Sequence, residues 1–198
     1  MHANAHDGRG GGALPRRLLC GLLLAAVVGA AANAASPGPD VRVHEDKGIY
    51  RVAARFEVPQ PPAAVLAVLT DYEAIPRFMP DLRRSIVRER DGARVVIEQE
   101  AVSTLMFFSR RVHLTLLVHE ADDAVRFTDV SKRSFSEYTG AWRLEPHAAG
   151  TVVAYELTAK PAFSVPEFVL VRLLKRDAHE MIDRLREAIA ARDVRQAR

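Results

Sequence analysis

From Val165 to Arg192 the chain reads VPEFVLVRLLKRDAHEMIDRLREAIAAR, and Phe168, Val171, Leu174, Ala178, Met181, Ile182, Leu185 and Ile189 recur at steps of three and four residues. That spacing predicts one long amphipathic helix, with Pro166 in its first turn and a strongly charged outer face. Its apolar stripe must be buried against something, and the preceding sequence says what. LRRSIVRER, ARVVIEQEAVS, RRVHLTLLVHE, AVRFTDV, FSEYTGAWRLEP and TVVAYELTAKP are strand-like runs separated by turn signals such as Asp91-Gly92, Ala121-Asp122-Asp123 and HAAG. Hairpins at this spacing make an antiparallel meander with one apolar face, and the terminal helix is the only element large enough to cover it.

The front of this unit fits the same plan. In IYRVAARFEV, Ile49 to Val58, Tyr50, Val52, Ala54, Phe56 and Val58 share one parity against Arg51, Arg55 and Glu57, as in a strand with one wet face. Pro61 and Pro62 then open a short helix that carries Val65, Leu66, Val68 and Leu69 and ends near Thr70. The stretch TDYEAIPRFMPDL, Thr70 to Leu82, is an irregular connection with one further helical turn, because Pro76 and Pro80 push Ile75 and Met79 away from helical backbone angles. The expected class is α+β. A curved antiparallel sheet of about six to seven strands wraps the C-terminal helix, with one or two short helices after the first strand.

Residues 1–34 stand apart. Arg16 and Arg17 precede the apolar run Leu18–Ala32, which closes on Ala32-Asn33-Ala34. These are the parts of a cleavable signal peptide, so a periplasmic or secreted domain is expected, starting at Ala35. An uncleaved membrane anchor is the alternative; the run is short for a span and is followed by SPGPD. Cys20 lacks the small preceding residue of a lipidated cysteine, and LPRRLLC matches a twin-arginine signal poorly. Cleavage removes Arg9, Arg16, Arg17, Asp7 and the single cysteine, so the formal charge falls from +3 to about +1. The exported part then has neither disulfide nor thiol chemistry, and its charge gives no footprint for nucleic acid. Residues 35–44 are expected as a linker and 45–194 as one domain.

Over residues 45–192 the chain resembles the START-like (SRPBCC) helix-grip superfamily, in its polyketide cyclase/dehydrase and coenzyme Q-binding branch. The resemblance is carried by FEVPQPPAAVLAVLTDYEAIPRFMPDLRRSIVRER, with Val58-Pro59 at the strand exit, Asp71-Tyr72 after the first helix and Ile75 to Pro80 as the proline-flanked connection. AKPAFSVPEFVLVRLL resembles the passage from last strand to long helix in exported members. Leu66 departs from the aromatic residue that many relatives carry. The resemblance implies an internal apolar cavity for lipids, quinones, sterols or aromatic metabolites, but no single chemistry, since its members include carriers, cyclases and chaperone-like partners.

The residues offer little for catalysis. Glu98 and Glu100 share a strand parity, and a pair of acids facing a cavity would repel each other into acid–base duty. The opposite parity, Val95, Ile97, Gln99 and Ala101, makes an exposed Glu98/Glu100 face the better reading. His113 and His119 would stand ~20 Å apart along a strand, too far to share a metal. His179-Glu180 lacks a second histidine four residues on, and no G-x-S-x-G, phosphate loop or dinucleotide fingerprint occurs. No catalytic residue, metal or cofactor is expected.

The candidates for ligand contact are the large apolar side chains Phe78, Met79, Phe107, Phe127, Tyr138, Trp142, Tyr155, Phe163 and Phe168. Gly140, between Tyr138 and Trp142 on one strand face, would leave room for the ligand, and Tyr138, Tyr155 or Arg110 would orient it. Leu105 to Phe108 beside Arg110 and Arg111 reads either as an apolar rim with a basic collar, suited to transient contact with a membrane surface, or as a buried bulge. Asp71 is expected as a local cap after the first helix, and Pro76 and Pro80 as the stiffeners of a flap whose ligand-facing residue is Phe78. The leading expectation is therefore a non-enzymatic exported domain that binds a hydrophobic small molecule between sheet and helix. A cyclase or lyase for an aromatic or polyketide-like substrate is the first alternative, and a protein-interaction module using an exposed Phe107/Phe108 rim the second.

Overall fold

The computed structural model describes residues 38–105, 108–163 and 166–196, all within a compact unit spanning Ala35–Arg198. Its strands are β1 (Asp40–Asp46), β2 (Ile49–Val58), β3 (Leu82–Asp91), β4 (Arg94–Leu105), β5 (Phe108–Ala121), β6 (Ala124–Asp129), β7 (Phe135–His147) and β8 (Gly150–Pro161). Helix α1 (Pro62–Leu69) and a 3₁₀ turn (Tyr72–Arg77) separate β2 from β3, and α2 (Glu167–Gln196) ends the unit. The eight strands form one open antiparallel sheet in the order β1-β2-β8-β7-β6-β5-β4-β3. This is the expected α+β helix-grip arrangement with one strand more than expected.

The additional strand is β1, which begins at Asp40, within the residues expected as linker, and runs into the expected domain. Asp46 pairs with Ile49 across a two-residue loop in which Lys47 and Gly48 have φ of 51° and 78°. Positive φ at both loop positions is the geometry of a type I′ hairpin. The Glu45 carboxylate accepts the Gly48 backbone N–H at 2.6 Å, and Val41 enters the core at 7% exposure.

The alternating patterns fold as they read. On β2, Tyr50, Val52, Ala54, Phe56 and Val58 are buried and the intervening residues exposed. On β4, Val95 and Ile97 are buried, while Glu98 and Glu100 point outward to Arg88 and to Arg84 at 3.9 Å. The hydrogen bond from Arg88 holds the Glu98 carboxyl below its ordinary range, so Glu98 is no raised acid.

Helix α2 packs on β1, β2 and α1 through Ala178, Ile182, Leu185 and Ile189. Full burial of a side chain such as Ile182 is worth roughly 1.5–3 kcal/mol, so this stripe fastens the helix to the sheet. Its first turns depart from the expected stripe: Leu170 and Leu173 are the buried residues, in a small cluster with Tyr50, and Phe168 is 77% exposed. Among the described residues no helix is long and apolar enough to cross a membrane. Residues 1–34, Met106 and Phe107 lie outside the described residues, as does the Arg110 side chain.

Candidate functional site

Between the inner face of the sheet and α2 the fold leaves a cavity of about 340 Å³. Its back wall comes from the inward parity of successive strands: Ile97, Gln99 and Ala101 on β4, Leu116 and Val118 on β5, Val125 and Phe127 on β6. Tyr138 and Trp142 on β7 and Tyr155 on β8 complete that wall, and Met181 and Leu185 of α2 face it. Val68 and Leu69 of α1 and the following segment, Tyr72 to Leu82, close one end. The lining residues that remain exposed, Pro80, Asp81, Glu180 and Arg184, belong to the end of this segment and to α2. The cavity therefore opens between those two elements.

The closing segment is the flap expected from TDYEAIPRFMPDL, in a tighter form. Pro76 sits inside the 3₁₀ turn, and the Ile75 carbonyl accepts both the Phe78 and Met79 N–H groups at 3.1 and 2.9 Å. A 3₁₀ turn of this length tolerates proline because few of its N–H groups have partners to lose. The flap is tied down at three points. Asp71 makes no local cap; its carboxylate pairs with Arg192 of α2 at 2.9 Å, while the capping bond after α1 is Thr70 Oγ1 to the Leu66 carbonyl at 2.8 Å. Tyr72 donates to Glu120 at 2.7 Å, and Arg90 donates to the same carboxylate at 3.0 Å. Glu73 accepts the Val87 N–H at 3.4 Å. Burial and then the Glu120 bond push the Tyr72 phenol far above its ordinary pKa, so it remains a donor.

The aromatic side chains form two groups. Trp142 and Tyr155, register partners across β7 and β8, have ring centroids 4.3 Å apart. Tyr138 lies between Phe127 at 5.9 Å and Phe135 at 4.9 Å, and Phe135 in turn meets Phe163 at 6.4 Å. Phe163 is thus separated from the cavity by Phe135 and Tyr138. Of the nine sequence candidates, Phe78, Met79, Phe127, Tyr138, Trp142 and Tyr155 line the cavity, Phe163 and Phe168 do not, and Phe107 lies outside the described residues. The space beside Gly140 is no room for a ligand either. A Cβ there would stand 2.5 Å from Phe127 Cζ and 2.4 Å from the Glu156 carbonyl oxygen, so the glycine exists to admit the Phe127 ring.

The polar groups of the cavity divide by depth. Inside are the Tyr138 and Tyr155 phenols and the Gln99 amide, whose nitrogen donates to the buried Ser85 hydroxyl at 3.2 Å. Burial, with a smaller contribution from the Asp129 charge, pushes Tyr138 up to about 12, and burial pushes Tyr155 well above its ordinary value. At the opening are Asp81, Asp177, Glu180 and Arg184. Partial burial first, then the neighbouring Glu180 and Asp81 charges, raise the Asp177 carboxyl against the lowering effect of Arg176, which lies 2.9 Å away. Gln99, Asp177, Glu180 and Arg184 were not among the expected contacts. For Gln99 the signal existed, since it shares the apolar parity of β4; for the α2 residues the helical period gave only an outer, charged face.

The profile of the polyketide cyclase / dehydrase and lipid transport family matches residues 58–186, which is well over half of the chain. A sequence comparison with curated proteins finds no match. Among solved structures the chain is similar to a protein of Thermus thermophilus at 24% identity, over 71% of this chain and 97% of that one, with a TM-score of 0.62. It is similar to a STAR-related lipid transfer protein from Xanthomonas axonopodis at 18% identity, over 78% and 99%, with a TM-score of 0.61. It is also similar to the Zhui aromatase/cyclase from Streptomyces at 12% identity, over 73% and 95%, with a TM-score of 0.62. At these identities the likeness is one of fold.

Proposed function

The chain belongs to the polyketide cyclase / dehydrase and lipid transport family, and from that premise we propose that it is an exported binding or carrier domain for a hydrophobic small molecule. The observation that carries this reading is the cavity itself: about 340 Å³, walled by aliphatic and aromatic side chains, with only neutral polar groups inside. That volume is near the low end of the roughly 300–1,000 Å³ of small-molecule sites, and suits one compact molecule or a single chain better than a two-chained lipid. Binding would draw on apolar burial at about 25 cal/mol per Å² removed from water, less the cost of immobilising the ligand.

The cyclase or lyase reading requires an ionisable group inside the cavity. Asp177 and Glu180 stand instead at the opening with Arg176, and the interior phenols stay protonated. Support for a pure interaction module is weaker still, because that reading goes with a filled interior. The sequence of residues 1–34 supports export, and the Leu105–Phe108 segment beside Arg110 and Arg111 supports a transient membrane contact during ligand exchange.

The test is native mass spectrometry and solvent extraction of protein purified from the periplasm of its own source cells. The expected results are an apolar molecule bound near one to one and a mature N-terminus at Ala35. Repeated recovery of empty protein that also fails to take up apolar probes would remove the carrier reading, and an intact N-terminus in the cell envelope would remove export.

A further inference from the structure

The Tyr138 and Tyr155 rings are set in the cavity wall, yet among the described residues neither hydroxyl has a protein hydrogen-bond partner. Tyrosine hydroxyls set in an apolar wall ordinarily find one; these two are open to the cavity instead, so each is a donor held ready for something that enters it. The rings are fixed where they stand, Tyr155 against Trp142 and Tyr138 between Phe127 and Phe135. Tyr138 pairs in register with Ala159 and Tyr155 with Trp142, so the two are offset by four residues along neighbouring strands, about 13 Å between backbones. They can meet two separated acceptors of one ligand, or one acceptor at either end. The wall also carries the Gln99 amide, whose nitrogen is engaged by Ser85.

The opening sets a second condition. Asp81, Asp177 and Glu180 gather there, Arg176 is engaged with Asp177 and Glu180, and Arg184 is the remaining cation of the lining. An anionic ligand must pass three carboxyls and then leave its charge among neutral groups and apolar walls, which is costly without a buried partner.

Resting on the carrier reading above, we propose that the cavity selects uncharged ring molecules bearing carbonyl oxygens, with Tyr138 and Tyr155 as the specificity-determining donors, and rejects both carboxylate-bearing ligands and plain hydrocarbons of the same shape. A carbonyl oxygen accepts from a phenol without giving up a proton of its own, which matches two donors that have no acceptor in the protein. A hydrocarbon would leave both hydroxyls unsatisfied and buried.

The experiment is equilibrium dialysis of the purified chain against three matched probes: 2,3-dimethyl-1,4-naphthoquinone, 2,3-dimethylnaphthalene and 2-naphthoate. The quinone is expected to bind at least about tenfold more tightly than the hydrocarbon, and the naphthoate most weakly. Tyr138→Phe and Tyr155→Phe should each weaken quinone binding about 3- to 10-fold while leaving the hydrocarbon within twofold, which a merely structural loss would not do. Unchanged circular dichroism and melting keep folding out of the comparison; if one variant misfolds, the other still decides. Equal affinity for quinone and hydrocarbon, or phenylalanine variants that weaken both alike, would overturn the inference and leave the carrier reading standing. Tightest binding of the naphthoate would overturn it in favour of Arg184 as the selector. Failure of all three probes to bind would count against the carrier reading and take the inference with it.

Discussion

At Gly140 no side chain fits, since the modest alanine methyl would overlap the Phe127 ring and the Glu156 carbonyl oxygen. Gly140→Ala should therefore destabilise the protein by about 1–3 kcal/mol in urea titration and weaken probe binding, because the ring it displaces is cavity wall. The same closeness explains why the glycine misleads on the page: a gap between Tyr138 and Trp142 is filled by the cross-strand partner, and strand pairing cannot be read from one strand alone. On the flap, Phe78 lines the cavity and Asp71 holds only an exposed ion pair with Arg192. Phe78→Ala is thus expected to cut ligand retention several-fold, whereas Asp71→Ala should cost ~1 kcal/mol or less of stability and leave retention nearly intact. Loss of retention in Asp71→Ala equal to that of Phe78→Ala would show that the carboxylate, not the ring, guards the cavity. Tyr72, Tyr138 and Tyr155 share one pH consequence. All three have pKa values raised in the fold, so the stability they contribute is fully present below about pH 10 and is lost as pH climbs beyond it, in the case of Tyr138 through about 12. Melting temperature should be flat in this respect from neutral pH to about 10 and fall beyond it, with a smaller fall in Tyr138→Phe.

Among the elements, those with a strong period were legible and those defined by a partner were not. Strand alternation in β2 and β4 assigned the buried parity correctly because each has one wet face. The first turns of α2 escape the periodicity, since Phe168, Leu170, Val171 and Leu173 offer overlapping three- and four-residue steps and only the position of Tyr50 decides which side is covered. Strand β1 was hidden because DVRVHED is an edge strand with charged residues along it and turns at Lys47-Gly48, not at the Asn-Gly or Asp-Gly that announces such a hairpin. Two outcomes follow from its being a strand. Lys47→Asn, better suited to positive φ, should raise stability by about 0.5 kcal/mol by chemical denaturation. A chain beginning at Gly48 should lose Val41 from the core and bare the backbone edge of β2, and so melt earlier and scatter light on heating; unchanged melting would mean that β1 contributes nothing.

For the whole molecule, the cavity sets binding against stability. Apolar walls that stand apart across a cavity forgo dispersion contacts that a close-packed core would make, so such a fold is less stable than its sheet and helix would allow. Ala101 lies in the wall at the flap end and has the space of the cavity in front of it. Ala101→Leu would put apolar carbons into that space without touching the flap ties or the Tyr138 and Tyr155 donors. The expected result is a ligand-free protein more stable by about 0.5–2 kcal/mol and a loss of probe affinity of tenfold or more, read by melting and by dialysis on the same preparation. Ligand itself stabilises the wild type by mass action, about 2.7 kcal/mol at a hundred times its Kd, and at the same concentration a tenfold loss of affinity should cut that increment to about 1.4 kcal/mol in the variant. Were Ala101→Leu to lose stability and keep its affinity, the walls would already be in contact and the space between sheet and helix would not be where the ligand sits.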